Sequence, residues 1–278
     1  MKKLIRGFIP SNIIFYYRLI RDYAPFLSKF RKLDLYPTIE IIAPDSSLVQ
    51  GSFEIEETEF LVEMFKDRDV FINVGANIGY YCLLALHYSC EVIAFEPVEE
   101  NLRLLSKNIH KNMKENSKVF IYPIGLDDNV SIKEVYGSST GASFVSGWAG
   151  ANKEISRYFP VNTFDNIIGK TFHNKSNIVL IDVEGWELNV LKGAKNFIMN
   201  ADDTIFLIEI CLDENRPTKN NKNKFLEPFR LMESFGYIAF HISKKNKILT
   251  SDELSEKIDK GDLPVYQGKP NFIFKKNK

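Results

Sequence analysis

Val70-Phe71-Ile72-Asn73-Val74-Gly75-Ala76-Asn77-Ile78-Gly79 opens as a strand and closes as the start of a helix. β-Branched and aromatic residues fill Val70–Val74, a composition that suits a strand buried on both faces. The run stops at glycine, and a helical pattern follows over Ile78–Tyr88. Glycines at such a turn let the chain reverse tightly and let a ligand approach the main chain without Cβ interference. Asn77 stands where a third glycine often sits, and asparagine is the residue next most tolerant of positive φ. Two glycines four apart are a weak signal alone, but a strand-to-helix position strengthens it.

Downstream, the strand Val92–Phe95 ends in Phe95-Glu96-Pro97, with Glu96 21 residues after Gly75. A carboxylate there can accept both hydroxyl protons of a ribose, and the spacing matches the dinucleotide-type fingerprint. The competing reading is an acid that starts the next helix, Glu99–Asn112, at its positive dipole end. With the glycine turn before it, Glu96 points to a nucleoside without saying which. A third strand follows at Val119–Tyr122, then fully apolar strands at Ile178–Ile181 and Thr204–Ile208, with a helix over Trp186–Ile198 between them. Strands alternating with helices predict a doubly wound α/β sheet.

At the carboxyl end of the fourth strand stands Ile181-Asp182-Val183-Glu184-Gly185-Trp186-Glu187. Open α/β sheets bind ligands at that edge, and three acids in six residues are costly there without a partner. Asp182 and Glu184 point the same way on an extended chain. An anionic pocket suits the sulfonium and ammonium groups of S-adenosylmethionine better than it suits a pyrophosphate. Glu187 reads equally well as a helix-start acid.

The chain ends differ from its middle. Residues 1–32 carry eight basic side chains against the single acid Asp22, interleaved with aromatic and aliphatic residues. A helix between Pro10-Ser11 and Pro25 is expected, packed on the domain or resting on an anionic membrane surface. Thr38–Ile42 and Leu48–Phe53, flanking Pro44-Asp45-Ser46-Ser47, predict a hairpin, followed by a helix near Glu57–Phe65. The chain therefore divides into an arm and hairpin over 1–66 and a main domain over 67–278. Within the latter, the Gly- and Ser-rich 126–164 reads as a hairpin or insertion, and Asn215–Lys224 as a surface loop.

Across all 278 residues, 36 basic side chains balance 36 acidic ones, so no net positive field attracts nucleic acid. Three dispersed cysteines form no CxxC, arguing for a reducing, cytoplasmic setting and against a disulfide scaffold or metal site. The longest apolar runs fall short of the roughly 18 residues of a membrane span.

Taken together, Phe71–Tyr81, Ile93–Pro97, Ile181–Glu187 and Leu191-Lys192-Gly193-Ala194 resemble the FkbM family of S-adenosylmethionine-dependent methyltransferases. The resemblance runs from about residue 69 to 212, with Leu207–Ile210 and Phe235-Gly236-Tyr237 trailing it. It implies a class I, Rossmann-like methyltransferase fold of seven strands, the last antiparallel and placed at Asn271–Phe274. It also implies O-methylation of a hydroxyl on a sugar, a glycan (lipid-linked included) or a related small acceptor. By the same resemblance, Asn73, Gly75, Ala76, Asn77 and Gly79 form the loop around the methionine part of S-adenosylmethionine, with Glu96 and Pro97 at the ribose and Asp127 on the adenine side. Asn73 departs from the usual aspartate, so its link to the ammonium would be neutral. Cys82 stands where serine or threonine is common.

For an alcohol acceptor the chain must supply a base or an orienting acid, and Asp182, Glu184 and Glu209 are the candidates. His173 and His241 could approach the same edge, whereas His87 and His110 fall in helices. No metal is expected. An NAD(P)-dependent oxidoreductase is the alternative enzyme, although a full G-x-G-x-x-G and a Tyr-x-x-x-Lys pair are absent. A non-catalytic nucleoside-binding protein with a degenerate site is the other alternative, motivated by Asn73.

Overall fold

The computed structural model describes residues 29–137, 142–150, 156–212, 216, 221–261 and 270–277. The expected basic helix before residue 29 lies outside them. The chain divides into two compact units between Phe53 and Glu54.

In the first unit, β1 (Arg31–Lys32) pairs antiparallel with β2 (Glu40–Ile41). The expected hairpin between Thr38–Ile42 and Leu48–Phe53 does not form. Ser46–Gln50 is instead a short helix, α1, because Asp45 caps it by accepting the Ser47 N–H at 2.8 Å and Gly51 ends it at φ 71°. A helix with both ends satisfied in this way outcompetes a strand.

The second unit opens with α2 (Ile55–Phe65) and is built on an eight-stranded sheet. In chain order its strands are β3 (Val70–Val74), β4 (Glu91–Phe95), β5 (Val119–Tyr122), β9 (Asn177–Ile181), β10 (Thr204–Glu209), β11 (Tyr237–His241), β12 (Lys244–Leu249) and β13 (Asn271–Lys276). Their spatial order is β5-β4-β3-β9-β10-β13-β11-β12. The first five pair in parallel, and β13 runs antiparallel between β10 and β11. This is the doubly wound class I arrangement with its antiparallel strand at Asn271. The count differs by one, because β12 folds back beside β11 and makes an eighth strand.

Helices α3 (Tyr80–His87) and α4 (Glu99–Asn112) connect the parallel strands. The helix expected over Trp186–Ile198 is two, α6 (Glu187–Lys192) and α7 (Lys195–Asn200); α5 (Phe164–Ile168) lies just before β9. The break follows from Asp165 on α5, whose carboxylate accepts the N–H groups of Asn196 and Phe197 at 2.8 and 2.9 Å and so starts a new helix. α8 (Lys222–Ser234) and α9 (Ser251–Asp259) complete the unit, so the helix begins inside the segment read as a loop at Asn215–Lys224. One face of the sheet is a dense aromatic layer in which Phe197, Phe206, Phe229, Phe272 and Phe274 are fully buried.

The 126–164 stretch contains the expected hairpin. β7 (Ser131–Tyr136) pairs antiparallel with β8 (Ser156–Asn162), and β6 (Gly125–Leu126) adds to β8 in parallel. Its residues 138–141 and 151–155 lie outside the described ones.

Candidate active site at the carboxyl edge of the sheet

Parallel pairing of β3, β4, β9 and β10 sends their carboxyl ends to one edge, and each ends in a residue singled out above: Gly75, Glu96, Asp182 and Glu209. The glycine turn is held by the neighbouring strand, since the N–H groups of Gly75 and Ala76 both donate to the Phe95 carbonyl at 3.0 and 2.9 Å. Gly75, Asn77 and Gly79 all have positive φ, at 88°, 51° and 89°. A Cβ at Gly75 would strike the carbonyl oxygen of Asp182, so the turn and the acidic loop pack backbone to backbone.

Glu96 is 4% exposed. Its Oε2 accepts the Asn77 N–H at 2.7 Å and its Oε1 accepts the Val98 N–H at 2.9 Å. Asn101 adds a longer bond at 3.4 Å. Burial pushes its pKa up to about 7, against the lowering effect of these donors. The acid thus ties the first two strand ends together, and Pro97 lies half-buried between Glu96 and α4.

Asp182 and Glu209 hydrogen-bond side chain to side chain, which requires one of them to hold a proton. Burial and then the charges of Glu209 and Glu184 drive the Asp182 pKa well above the usual carboxylate range. Burial likewise brings Glu209 to about 7. Glu184 adopts φ 55°, and its carboxylate accepts the indole N–H of Trp148. Its pKa is raised by burial. Glu187 is buried, accepts the Gly185 N–H at 2.7 Å, and is pushed by burial to about 7. The helix-start reading is right for its position, since it begins α6, and its carboxylate also belongs to the acidic group, where Arg216 is a nearby counter-charge.

Two residues that the sequence reading missed complete the cluster. Glu54 precedes α2, and its Oε2 accepts the Tyr81 hydroxyl at 2.6 Å. Trp148 is 1% exposed and fits over Gly185, where any side chain would collide with its ring. Glu54 resembles any other acid at a helix start, and Trp148 lies in a Gly-rich stretch with no periodicity. Neither carried a readable signal beyond residue type.

Asp127, His173 and His241 are in contact with protein groups. Asp127 is fully buried, but its Oδ1 accepts Trp186 Nε1 and Asn189 Nδ2 at 3.1 and 3.0 Å, and its Oδ2 pairs with Lys133 at 2.9 Å. These donors offset the effect of burial and keep its pKa low. Its carboxylate is thus engaged by protein groups. His173 stands before β9, at the opposite edge of the sheet, and packs on Phe197. His241 ends β11 but is 1% exposed against Phe272. Among the described residues no group of three or more His, Cys, Asp or Glu side chains could hold a metal ion.

Three buried oxygens at this edge have no partner among the described residues: Asn73 Oδ1, Asn77 Oδ1 and Asp182 Oδ1. Asn73 is 1% exposed, and its amide nitrogen reaches only Cys82 Sγ at 3.5 Å. Buried acceptors left open in this way call for a donor or a cation from outside the chain. They fit a ligand that presents an ammonium and a sulfonium.

Residues 73–239 match the model of the methyltransferase FkbM domain. A 168-residue stretch is 27% identical to the hexuronic acid methyltransferase AglP of Haloferax volcanii, covering 60% of this chain and 66% of that protein, just under two thirds of its length. Among solved structures, the chain is similar to precorrin-6y C5,15-methyltransferase from Geobacter metallireducens GS-15, with 12% identity, 74% and 84% coverage of the two chains and a TM-score of 0.41. It is also similar to magnesium protoporphyrin IX methyltransferase from Synechocystis PCC 6803 with bound SAM, with 9% identity, 89% and 92% coverage and a TM-score of 0.40. These structural likenesses are distant, and the topology above rests on the strand pairings of this chain alone.

Proposed function

The chain belongs to the FkbM methyltransferase family, whose cofactor is S-adenosylmethionine, and from that premise we propose that it methylates a hydroxyl of a sugar or glycan. The carrying observation is the group of acids at the sheet edge, Glu54, Asp182, Glu184, Glu187 and Glu209, set beside the glycine turn and Glu96 with open acceptor oxygens among them. The hexuronic acid methyltransferase from Haloferax volcanii supports a sugar acceptor. The family match leaves the oxidoreductase alternative without support.

When bound, S-adenosylmethionine supplies an electrophilic methyl carbon whose bonding pair stays on sulfur as the new O–C bond forms. The chain's part is to bind, align and dehydrate. Asn73, Gly75, Ala76, Asn77 and Gly79 would hold the methionine part, and Glu96 with Pro97 the ribose. The Asp182–Glu209 pair carries one shared proton, and so presents a net negative charge toward a cation without the repulsion of two full charges. Glu184, fixed by Trp148, orients the acceptor. In this reading the protein is cytoplasmic, and the basic residues 1–32 bring it to an anionic membrane where a lipid-linked glycan would reside. Absence of co-sedimentation with anionic vesicles at low salt would remove that last element.

Calorimetry with S-adenosylmethionine, S-adenosylhomocysteine and NAD tests the central claim, followed by transfer of labelled methyl to methyl β-D-glucuronide and methyl β-D-glucoside. The expected result is micromolar binding of the first two, lost in Glu96→Ala, and labelling of at least one sugar. Binding of none of the three would leave only the degenerate-site alternative.

A further inference from the structure

Glu54 sits where local rules disfavour it. It occupies the N-cap of α2 without making a side-chain cap bond, and glutamate is not among the residues that cap well. Its backbone is left-handed, at φ 38° and ψ 62°, a conformation that is strained for a side-chain-bearing residue. Strain of this kind persists when the surroundings hold it in place. Here they do. The Glu54 carbonyl accepts the Thr58 N–H at 2.8 Å to open the helix, and Tyr81 grips Oε2 from α3, two residues beyond Gly79.

The carboxylate faces the same acids as the sheet edge. Asp182 and Glu184 approach it from the loop after β9, Glu57 from its own helix, and Tyr81 from α3. The residue is open to solvent, so an acceptor can reach its carboxylate. The other acids are less open to solvent than Glu54. Glu96 holds two backbone N–H groups, Glu187 holds Gly185, Glu184 holds Trp148, and Asp182 and Glu209 hold each other. Glu54 uses Oε2 toward Tyr81.

We infer that Glu54 is the general base of the methyl transfer, taking the acceptor proton on Oε1 while Tyr81 fixes Oε2. This rests on the proposed methyltransferase reading and names the residue that reading lacks. As the acceptor oxygen bonds to the methyl carbon, its proton passes to Glu54 and the carbon–sulfur pair stays on sulfur. The products are the methyl ether, the neutral thioether and a protonated Glu54, which returns its proton to solvent. Loss of surrounding water, reinforced by the charge of Asp182, holds its pKa at about 7, where a base operates near neutrality.

The test compares the full-length chain with Glu54→Gln and Glu54→Asp. The first readout needs no acceptor. Proton release on binding S-adenosylmethionine, relative to S-adenosylhomocysteine, is measured by calorimetry at pH 7 in buffers of different ionisation heat. A sulfonium beside Glu54 lowers its pKa, so the wild type should release roughly 0.3 proton more with the sulfonium ligand. That excess should fall by half or more in Glu54→Gln, while S-adenosylhomocysteine affinity stays within about threefold. With whichever methyl glycoside is methylated, kcat should drop on the order of 100-fold in Glu54→Gln and recover in part in Glu54→Asp. The rise of wild-type kcat through about pH 7 should disappear in Glu54→Gln. An unchanged proton excess, full turnover, or lost S-adenosylhomocysteine affinity in Glu54→Gln would each overturn the assignment. Failure of the wild type to bind either ligand would overturn the methyltransferase reading itself, and Glu54 with it.

Discussion

Glu96 shows at the scale of one residue what the site asks of its acids. Both of its carboxylate oxygens take backbone N–H bonds, yet burial still holds the pKa up at about 7, and Glu54, Glu187 and Glu209 are held near the same value. In the unfolded chain such carboxyls release their protons around pH 4.5, whereas the folded protein keeps them to about 7. The folded state therefore binds more protons across that interval, and its stability declines as pH rises from about 4.5 through 7. The thermal midpoint of the ligand-free protein should accordingly fall between pH 5.5 and 8. S-Adenosylmethionine should restore it more at pH 8 than at pH 5.5, because its cationic groups favour the ionised acids. A flat midpoint across that range would mean that the acids titrate at ordinary values. Glu96 was legible in the sequence because it follows a strand at a telling distance from a glycine turn. Glu54 was not, because a left-handed backbone angle leaves no trace in residue order.

The glycine turn between β3 and α3 is the element on which the edge depends. At Gly75 the requirement is double: φ is 88°, and the space a Cβ needs is filled by the Asp182 carbonyl. Gly75→Ala should cost about 1–3 kcal/mol from the backbone angle alone. It should also push apart the turn and the acidic loop, weakening cofactor binding at least tenfold. Urea denaturation with parallel calorimetry would check both, and an unchanged midpoint would show that the turn can yield. Elements with one clear periodicity were read to the residue: Glu99–Asn112 and Val119–Tyr122 stand as expected. The misreadings share a cause in contacts distant in sequence or in lengths too short for periodicity. α1 has five residues, so Leu48 and Val49 pass for strand residues, and the break between α6 and α7 is imposed by Asp165 some thirty residues earlier.

At the scale of the main unit, the sheet has an open edge beyond β11, and β12 is the strand that forms it. It carries Lys244, Lys245 and Lys247, and all its residues before Leu249 are exposed. Lysines on an exposed edge discourage pairing with another chain. Replacing Lys245 and Lys247 with valine should leave the thermal midpoint within a few degrees but produce concentration-dependent association by light scattering. A variant that stays monodisperse at high concentration would show that the lysines are not the barrier. The eighth strand could not be anticipated from Lys244–Leu249, whose run of lysine and asparagine reads as loop. Its strand state comes from pairing with β11.

The chain has only two tryptophans, and both indole N–H groups end on carboxylates, Trp148 on Glu184 and Trp186 on Asp127. Nearly all the ultraviolet emission of this protein excited at the red edge of its absorption therefore originates within reach of those two carboxylates. The molecule carries its own optical probe, with no label to attach, and entry of a cation beside Glu184 would register as a change in colour and intensity of that light.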